Sequence, residues 1–289
     1  MALEKKSKKN FKYFIKNMTL DFNTTYNNLN EIIKGAVIDL SDVEFIHPWA
    51  LVMICLLLVE RCEMRDRKLI LPKNQDLLCS LKRMHFCNIL SELKYDEEVK
   101  FLNQLTMPEQ DNLNIHEILH CRYSDEFSGR LGHFYNMFKN FGLSRDDANL
   151  ATNIVAELGN NVFDHNLGNW PTDIGGCIIA AHNYPQTKCI EVAVGDPGVG
   201  FRGSLKSAFP ELKSDVEAIK KGLAGNTGRV GETRGNGLKF IKSWTINDFY
   251  GKLFIHSGDG LVIAGKDGSV EKQVNKILGT IAQIMIYYK

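Results

Sequence analysis

The stretch Glu157-Leu-Gly-Asn-Asn161-Val-Phe-Asp164-His165 lies in the segment that decides the fold of this chain. Upstream, Ser144 followed by Asp147 is a capping-box pattern, which predicts the start of a helix. Behind this cap, apolar residues recur at helical spacing and form one stripe: Ala151, Ile154, Val155, Leu158 and Val162. Glu157, Asn161 and Asp164 fall at i, i+4 and i+7, so a helix presents them in nearly the same direction. A solvated polar face is the alternative interpretation, and it is preferred if the motif stands alone.

Two glycine-rich motifs follow this helix. Gly195-Asp196-Pro-Gly198-Val-Gly200 comes directly after residues 189–194, which alternate like a strand. Gly231-Glu-Thr-Arg-Gly235-Asn-Gly237-Leu238 comes later and leads into a second helix-like pattern. Either motif alone is weak evidence, because glycine loops are common turns.

Taken in this order, the three motifs resemble the N, G1 and G2 boxes of the GHKL ATP-binding family. The segment that begins Gly279-Thr280 resembles the closing strand of that domain, and Leu143-Ser-Arg-Asp-Asp-Ala148 resembles the approach to the N box in anti-sigma-factor serine kinases. The resemblance implies a GHKL (Bergerat) two-layer α/β sandwich over residues 125–289, which binds ATP together with Mg²⁺.

The resemblance also implies a role for each matching residue. Asn161 would hold Mg²⁺, because hard cations prefer oxygen ligands. Glu157 would be the general base for the attacking water or hydroxyl group. Asp196 would accept a hydrogen bond from the adenine amino group. Gly198 and Gly200 would let the backbone pass close to the base.

The remaining nucleotide contacts follow from the second glycine motif and its surroundings. Gly235 and Gly237 would bring backbone N–H groups to the phosphates, and Thr280 would support the adenine end. The glycine-rich residues 222–234 resemble the mobile lid of the family. Further candidate contacts are Leu238, Asp164, His165, Arg229 and Arg234. For Asp164 and His165, capping of the helix C-terminus is an equal alternative. For the two arginines, the equal alternative is that they only contribute to solubility.

The first part of the chain resembles a different family. Residues 11–105 are similar to a STAS domain, the fold of anti-sigma-factor antagonists, in the turn Asp39-Leu-Ser-Asp-Val-Glu-Phe-Ile46, in the apolar helix that follows and in a strand at residues 68–71. Where that family carries a phosphate-accepting serine, this chain has His47-Pro48-Trp49-Ala50. The departure favours a docking or scaffold role for this domain over phosphorylation.

Residues 106–124 read as a linker, and they contain His116-Glu117-Ile-Leu-His120, which matches the zinc-peptidase pattern. That chemistry requires both histidines on one helix face and a third ligand nearby. The long form of the motif would place Gly at 123 and His at 126, where this chain has Tyr123 and Glu126. We interpret the match as a coincidence in a short connecting helix, with a zinc metallopeptidase as the third and most distant functional alternative.

Composition limits the classes of function. The chain has 289 residues and a net charge of +1, so no global charge directs it to nucleic acid. Residues 1–10 are basic and predict a disordered tail. The longest apolar run, residues 48–59, is shorter than the roughly 20 residues that cross a membrane. The seven scattered cysteines fit reduced thiols in the cytoplasm.

The sequence therefore predicts an α/β protein with a STAS-like sheet-and-helix domain followed by a GHKL domain. The first functional hypothesis is a regulatory protein of bacterial partner-switching signalling, which hydrolyses ATP or transfers its γ-phosphate to a protein partner. The alternative is a non-catalytic module in which ATP changes the affinity for that partner. A protein partner is expected through the STAS-like domain, and a homodimer is among the oligomeric states left open.

Overall fold

The computed structural model describes residues 18–107, 114, 117–166, 170, 173–226 and 236–289. Helices and strands alternate along them, and the protein is mixed α/β, as the sequence predicts. The first half contains these elements: β1 (Met18–Leu20), α1 (Phe22–Ile32), β2 (Ile33–Lys34), β3 (Val37–Asp39), β4 (Val43–Ile46), α2 (Pro48–Glu60), β5 (Lys68–Ile70), α3 (Gln75–Arg83), α4 (Phe86–Glu92) and α5 (Asp96–Gln104).

The strands of the first half form two small sheets. β1 pairs with β4 in parallel, and β3 lies between β2 and β5. The sequence predicts a polar turn between β3 and α2, but Val43–Ile46 is a strand there. Its partner β1 lies more than twenty residues earlier in the chain, so the pairing depends on a contact that local patterning does not reveal.

The second half is built on one antiparallel sheet of seven strands, in the order β11-β10-β9-β12-β8-β7-β6. Its elements are β6 (Leu119–Cys121), α6 (Ser124–Gly129), α7 (Leu131–Asn140), α8 (Arg145–Asn166), β7 (Cys177–Tyr184), β8 (Cys189–Asp196), α9 (Gly200–Leu205), α10 (Asp215–Leu223), α11 (Gly237–Ser243), a π-helical turn (Trp244–Asp248), β9 (Lys252–Ser257), β10 (Gly260–Gly265), β11 (Gly268–Gln273) and β12 (Thr280–Tyr287).

Helix α8 begins where the sequence predicts it. The Asp147 backbone N–H donates to Ser144 Oγ at 3.1 Å, so the cap is formed. The whole predicted apolar stripe is buried, and it packs in one cluster with alternate residues of the central strands, among them Ile179, Val192 and Val194. This packing presses α8 against one face of the large sheet.

Helix α2 covers the opposite face of the same sheet. Residues 48–59 are all buried, which explains why this helix is apolar on every side. It shares a cluster with the other set of alternate strand residues, including Ile178, Ala180 and Ala193. Since side chains of a strand point alternately to its two faces, the sheet is covered on both.

The structure therefore adds a layer to the arrangement that the sequence predicts. The second half alone has the two layers expected, a sheet with helices on one face, but the first half supplies a third layer through α2. In the segment predicted as a linker, β6 is the edge strand of the large sheet. Among the described residues, none of the helices is both long and apolar enough to cross a membrane.

The contact between the two halves is tight at Gly195. A Cβ placed there would overlap Val52 Cγ1 and stand 3.3 Å from Leu56 Cδ1 on α2. We expect Gly195→Ala to lower the free energy of unfolding by about 1–3 kcal/mol, because a packed core has no room for an added methyl group. Urea denaturation measures this change.

Gly132→Ala is the matched control for that substitution. Gly132 lies in α7, and a Cβ there meets no heavy atom within 4 Å. This substitution should stabilise the helix by up to about 1 kcal/mol, because alanine favours helix. Equal effects of the two substitutions would contradict the packing of α2 against β8.

Candidate functional site

A buried carboxylate, Asp196, ends strand β8 and lines a cleft of about 660 Å³. Asn166 Nδ2 donates to Asp196 Oδ1 at 3.0 Å, and the Gly198 backbone N–H donates to the same oxygen at 2.9 Å. Asp196 Oδ2 accepts no hydrogen bond from the described residues. Burial raises the pKa of Asp196 to about 7, and the two hydrogen bonds only partly offset that rise.

The residue that orients Asp196 is Asn166, which the sequence interpretation missed. It is the last residue of α8, and it is buried. Its Nδ2 also donates to the Val162 backbone oxygen at 2.8 Å, while its Oδ1 accepts from the Val199 N–H at 2.9 Å. Asn166 follows Val162 by four residues, so a polar residue continuing the apolar stripe is the signal that could have identified it.

The two glycines after Asp196 are required by close contacts. A Cβ at Gly198 would overlap the Asn166 carboxamide, which would break the link between α8 and Asp196. Gly200 has φ +70°, a conformation that favours glycine, and a Cβ there would stand 2.7 Å from Ser257 Oγ. Glycine at both positions thus lets the loop lie against α8 on one side and β9 on the other.

Ser257 is a second residue that the sequence interpretation missed. Its Oγ accepts from the Phe201 N–H at 2.9 Å and from Thr280 Oγ1 at 3.0 Å. Thr280 lies opposite Asp196 in the pairing of β12 with β8, and it lines the cleft. The end of the sheet therefore brings Asp196, Ser257 and Thr280 together, although they are far apart in the sequence.

Asn161 also faces the cleft, from α8. Its Nδ2 is buried and makes no hydrogen bond with any described residue. A buried amide without a partner is costly, so a ligand in the cleft would satisfy a group that the protein leaves unsatisfied. His165 lines the same cleft one turn further on.

The structure separates Glu157 and Asp164 from these residues. Glu157 is half-buried and is absent from the described lining of the cleft. Its carboxylate lies beside the first residue of α11, where a Cβ at Gly237 would stand 2.5 Å from Glu157 Oε2. Asp164 is exposed on α8. All three lie on the continuous helix α8, and Asn161 is the one of them that the described lining of the cleft includes.

The floor of the cleft is apolar. Leu238 of α11 contributes to it, as the sequence predicts, together with side chains of α8 and of the central strands: Leu158, Val162, Val194, Ile255 and Ala282. Arg229, Arg234 and Gly235, and with them most of the predicted lid, lie outside the described residues. The lid segment begins inside α10, which extends to Leu223.

The zinc-peptidase pattern is not on a helix, which corrects the expectation of a short connecting helix there. His120 lies on strand β6, where its Nδ1 is 2.7 Å from Glu92 Oε2 and its Nε2 is 2.8 Å from the Gly175 backbone oxygen. Glu117 Oε2 is 2.9 Å from His85 Nδ1. His116 lies outside the described residues. Both ring nitrogens of His120 are thus engaged, which argues against its role as a zinc ligand.

The loop that replaces the phosphate-accepting serine of STAS domains is packed against the large sheet. His47 Nδ1 is 3.0 Å from Glu191 Oε2 on β8 and 2.7 Å from Tyr184 Oη on β7. The His47 side chain is only 21% exposed. This contact fits a structural role for the loop.

The cleft thus gathers four of the six predicted polar residues that the structure describes at one end of the sheet. The sequence-predicted residues that line it are Asn161, His165, Asp196, Gly200, Leu238 and Thr280. All seven cysteines are among the described residues and are free thiols, and no group of three or more metal-ligating side chains is found in the described part of the chain. A scan of the chain against models of known protein families finds no match, and neither does a search of the curated proteins.

Proposed function

We propose that this protein binds ATP with Mg²⁺ in the cleft and acts as a regulator that hydrolyses ATP or transfers its γ-phosphate to a protein partner. The observation that carries this proposal is the state of Asp196. Its Oδ1 atom accepts hydrogen bonds from two N–H donors. Its Oδ2 atom accepts none from the described residues, and the residue lines an apolar cleft. A buried acceptor of this kind is suited to one amino group of a flat, apolar ligand.

Adenine fits this arrangement in chemistry. Sites for small molecules are mainly apolar with a few polar groups, and the cleft combines an apolar floor with Asp196, Asn161 and Thr280. The adenine amino group would donate to Asp196 Oδ2. Guanine carries an oxygen at the equivalent position, which would place two acceptors against each other. We therefore expect the cleft to bind adenine in preference to guanine.

The residues present also fit a magnesium ion bound with the nucleotide. Mg²⁺ commonly takes one or two protein oxygens and completes its coordination with phosphates and water. The Asn161 Oδ1 atom is the oxygen that would hold the ion, and the buried Nδ2 group, which has no partner among the described residues, would donate to a phosphate oxygen. When bound, Mg²⁺ would neutralise charge on the triphosphate. Asn161 is therefore the residue that we assign to the metal.

Glu157 lies one helical turn before Asn161. We assign it the role of general base, which holds or accepts the proton of an attacking water or partner hydroxyl. Its contact with Gly237 ties it to the start of α11, next to the segment that carries the predicted phosphate contacts.

A non-catalytic module in which nucleotide changes the affinity for a partner is the second candidate. Two observations favour it: Glu157 does not line the cleft, and the STAS-like loop has no hydroxyl and is packed on the sheet. In both cases we place the protein in the cytoplasm, in keeping with its free thiols.

Calorimetric titration of MgATP into the purified protein tests the proposal. Saturating binding supports the nucleotide site, and heat that continues after each injection supports turnover. Binding without continued heat would favour the non-catalytic module. Absence of binding by the wild-type protein would overturn the assignment of the cleft to ATP.

A further inference from the structure

A second, larger groove lies on the other side of the loop that follows Asp196. It encloses about 1,440 Å³, including space open to solvent, and it shares Gly198 and Gly200 as part of its wall.

Three cations are among the described residues that line this groove: Arg202 of α9, Lys206 at the C-terminal end of that helix, and Lys276 from the loop before β12. All three are exposed, and none of them forms an ion pair with a residue that the structure describes. Arg202 and Lys206 are four residues apart, so they lie on the same side of their helix.

The two carboxylates of the groove are already engaged within the protein. Glu60 Oε2 is 2.7 Å from Arg61 Nη1. Asp215 Oδ2 accepts from the Asp259 backbone N–H at 3.0 Å. The net effect is a groove with an excess of uncompensated positive charge, in a chain whose total charge is only +1.

Apolar side chains lie between these charges. Val199 is 40% exposed on the shared loop, and Phe209, Pro210 and Leu278 face the same groove. The Val199 side of the wall is held in place, since the Val199 N–H donates to Asn166 and the Phe201 N–H donates to Ser257. A preformed surface binds with a smaller loss of conformational entropy.

We propose that this groove docks an acidic segment of a protein partner that also carries apolar side chains. Carboxylates of the segment would pair with the three cations, and its apolar residues would contact Val199 and the aromatic ring of Phe209. The chain's own N-terminal segment has the wrong charge for this role, because it contains Lys5, Lys6, Lys8 and Lys9. Single-stranded nucleic acid is usually held by aromatic stacking in a basic groove, and Phe209 is the one aromatic residue among the described residues that line this groove.

The test is a fluorescence anisotropy titration with a labelled peptide that repeats Asp-Glu-Leu, made without nucleotide. We expect saturable binding, and weakening of at least about tenfold by Arg202→Glu, Lys206→Glu and Lys276→Glu combined, because reversal places like charges across the interface. The control combines Arg65→Glu, Lys68→Glu and Lys100→Glu, which changes the total charge equally at exposed residues outside the groove. The control should change the affinity by no more than about twofold.

Three results would overturn the proposal: no saturable binding, equal weakening by the two triple variants, or tighter binding of single-stranded oligothymidylate than of the acidic peptide. If the triple reversal unfolds the protein, glutamine at the same three positions removes the charges without repulsion and makes the same comparison. The titration contains no ATP, so its result is independent of the nucleotide proposal above.

Discussion

Asp196→Asn is expected to abolish ATP binding and to leave the protein folded. The amide oxygen can still accept from Asn166 Nδ2 and the Gly198 N–H, so the internal hydrogen bonds remain. The new NH₂ group takes the place of Oδ2 and meets the adenine amino group as a second donor. The loss of a charge-assisted hydrogen bond together with this mismatch should weaken binding by about 100-fold or more.

The same substitution should improve the binding of a nucleotide with an oxygen at position 6 of the base, such as GTP, because the new amide can donate to that oxygen. Calorimetry with both nucleotides measures the two changes. Asp267→Asn, at an exposed aspartate outside the cleft, is the control and should change neither affinity. Unchanged ATP affinity in Asp196→Asn would exclude this carboxylate as the adenine acceptor.

Because Asp196 is buried, the free energy of unfolding should depend on pH in a known direction. The pKa of its carboxyl group is raised from 3.8 to about 7 in the folded protein. Between these two values the unfolded chain binds fewer protons than the folded one, so this group lowers the stability as the pH rises. Above pH 7 the folded protein carries the full cost of a buried carboxylate.

Asparagine has no such cost, so Asp196→Asn should be more stable than wild type at pH 8 by on the order of a few kcal/mol. This difference should shrink as the pH falls toward 4. Urea denaturation over that range measures it.

In the wild type, ATP affinity should fall as the pH drops through about 7, since the amino group prefers the ionised acceptor. If Asp196→Asn is more stable than wild type and no longer binds ATP, the loss of binding is not caused by unfolding.

Glu157→Gln is expected to abolish turnover and to retain nucleotide binding. Glutamine has nearly the same shape, so it can keep the position of Glu157 beside Gly237. It cannot accept a proton at neutral pH. Removal of a general base commonly slows a reaction by about 10²- to 10⁴-fold. Release of phosphate under single-turnover conditions, alongside calorimetric affinity for MgATP, measures the two effects separately.

Glu97→Gln, at an exposed glutamate of α5, is the matched control and should leave both quantities unchanged. Turnover that persists in Glu157→Gln would contradict the assignment of the base. A wild-type protein that binds ATP without turnover, alone and with its partner, would instead favour the nucleotide-gated module.

Part of this structure could be predicted from the sequence, because it depends on interactions between residues that are close together in the chain. The Ser144 cap and the apolar stripe of α8 are confirmed, because both depend on residues within one or two turns of each other. The hairpin of β9 and β10, with its turn at residues 258–259, likewise depends on residues close together in the sequence. The position of Asp196 at the end of a buried strand likewise follows from alternation and the glycines after it.

Other features depended on contacts between distant parts of the chain. Asn166 reaches Asp196 thirty positions later, and Ser257 holds the loop at Phe201 from a strand 56 positions away. No local pattern marks the Ser257 contact, and only the place of Asn166 in line with the apolar stripe of α8 points to the other. The sequence predicts a short connecting helix at His120, but pairing with β7 places it on an edge strand.

The sequence by itself therefore determined the main helices and strands of the second half and the order of its polar and glycine motifs. Only the tertiary structure decided that α2 covers the second face of the sheet, that Asn166 orients Asp196 and that Ser257 holds the loop after it. It also decided that Glu157 turns toward Gly237. The physical reason is that capping and periodicity act over a few residues, whereas the order of strands and the burial of each face depend on the packing of the whole chain.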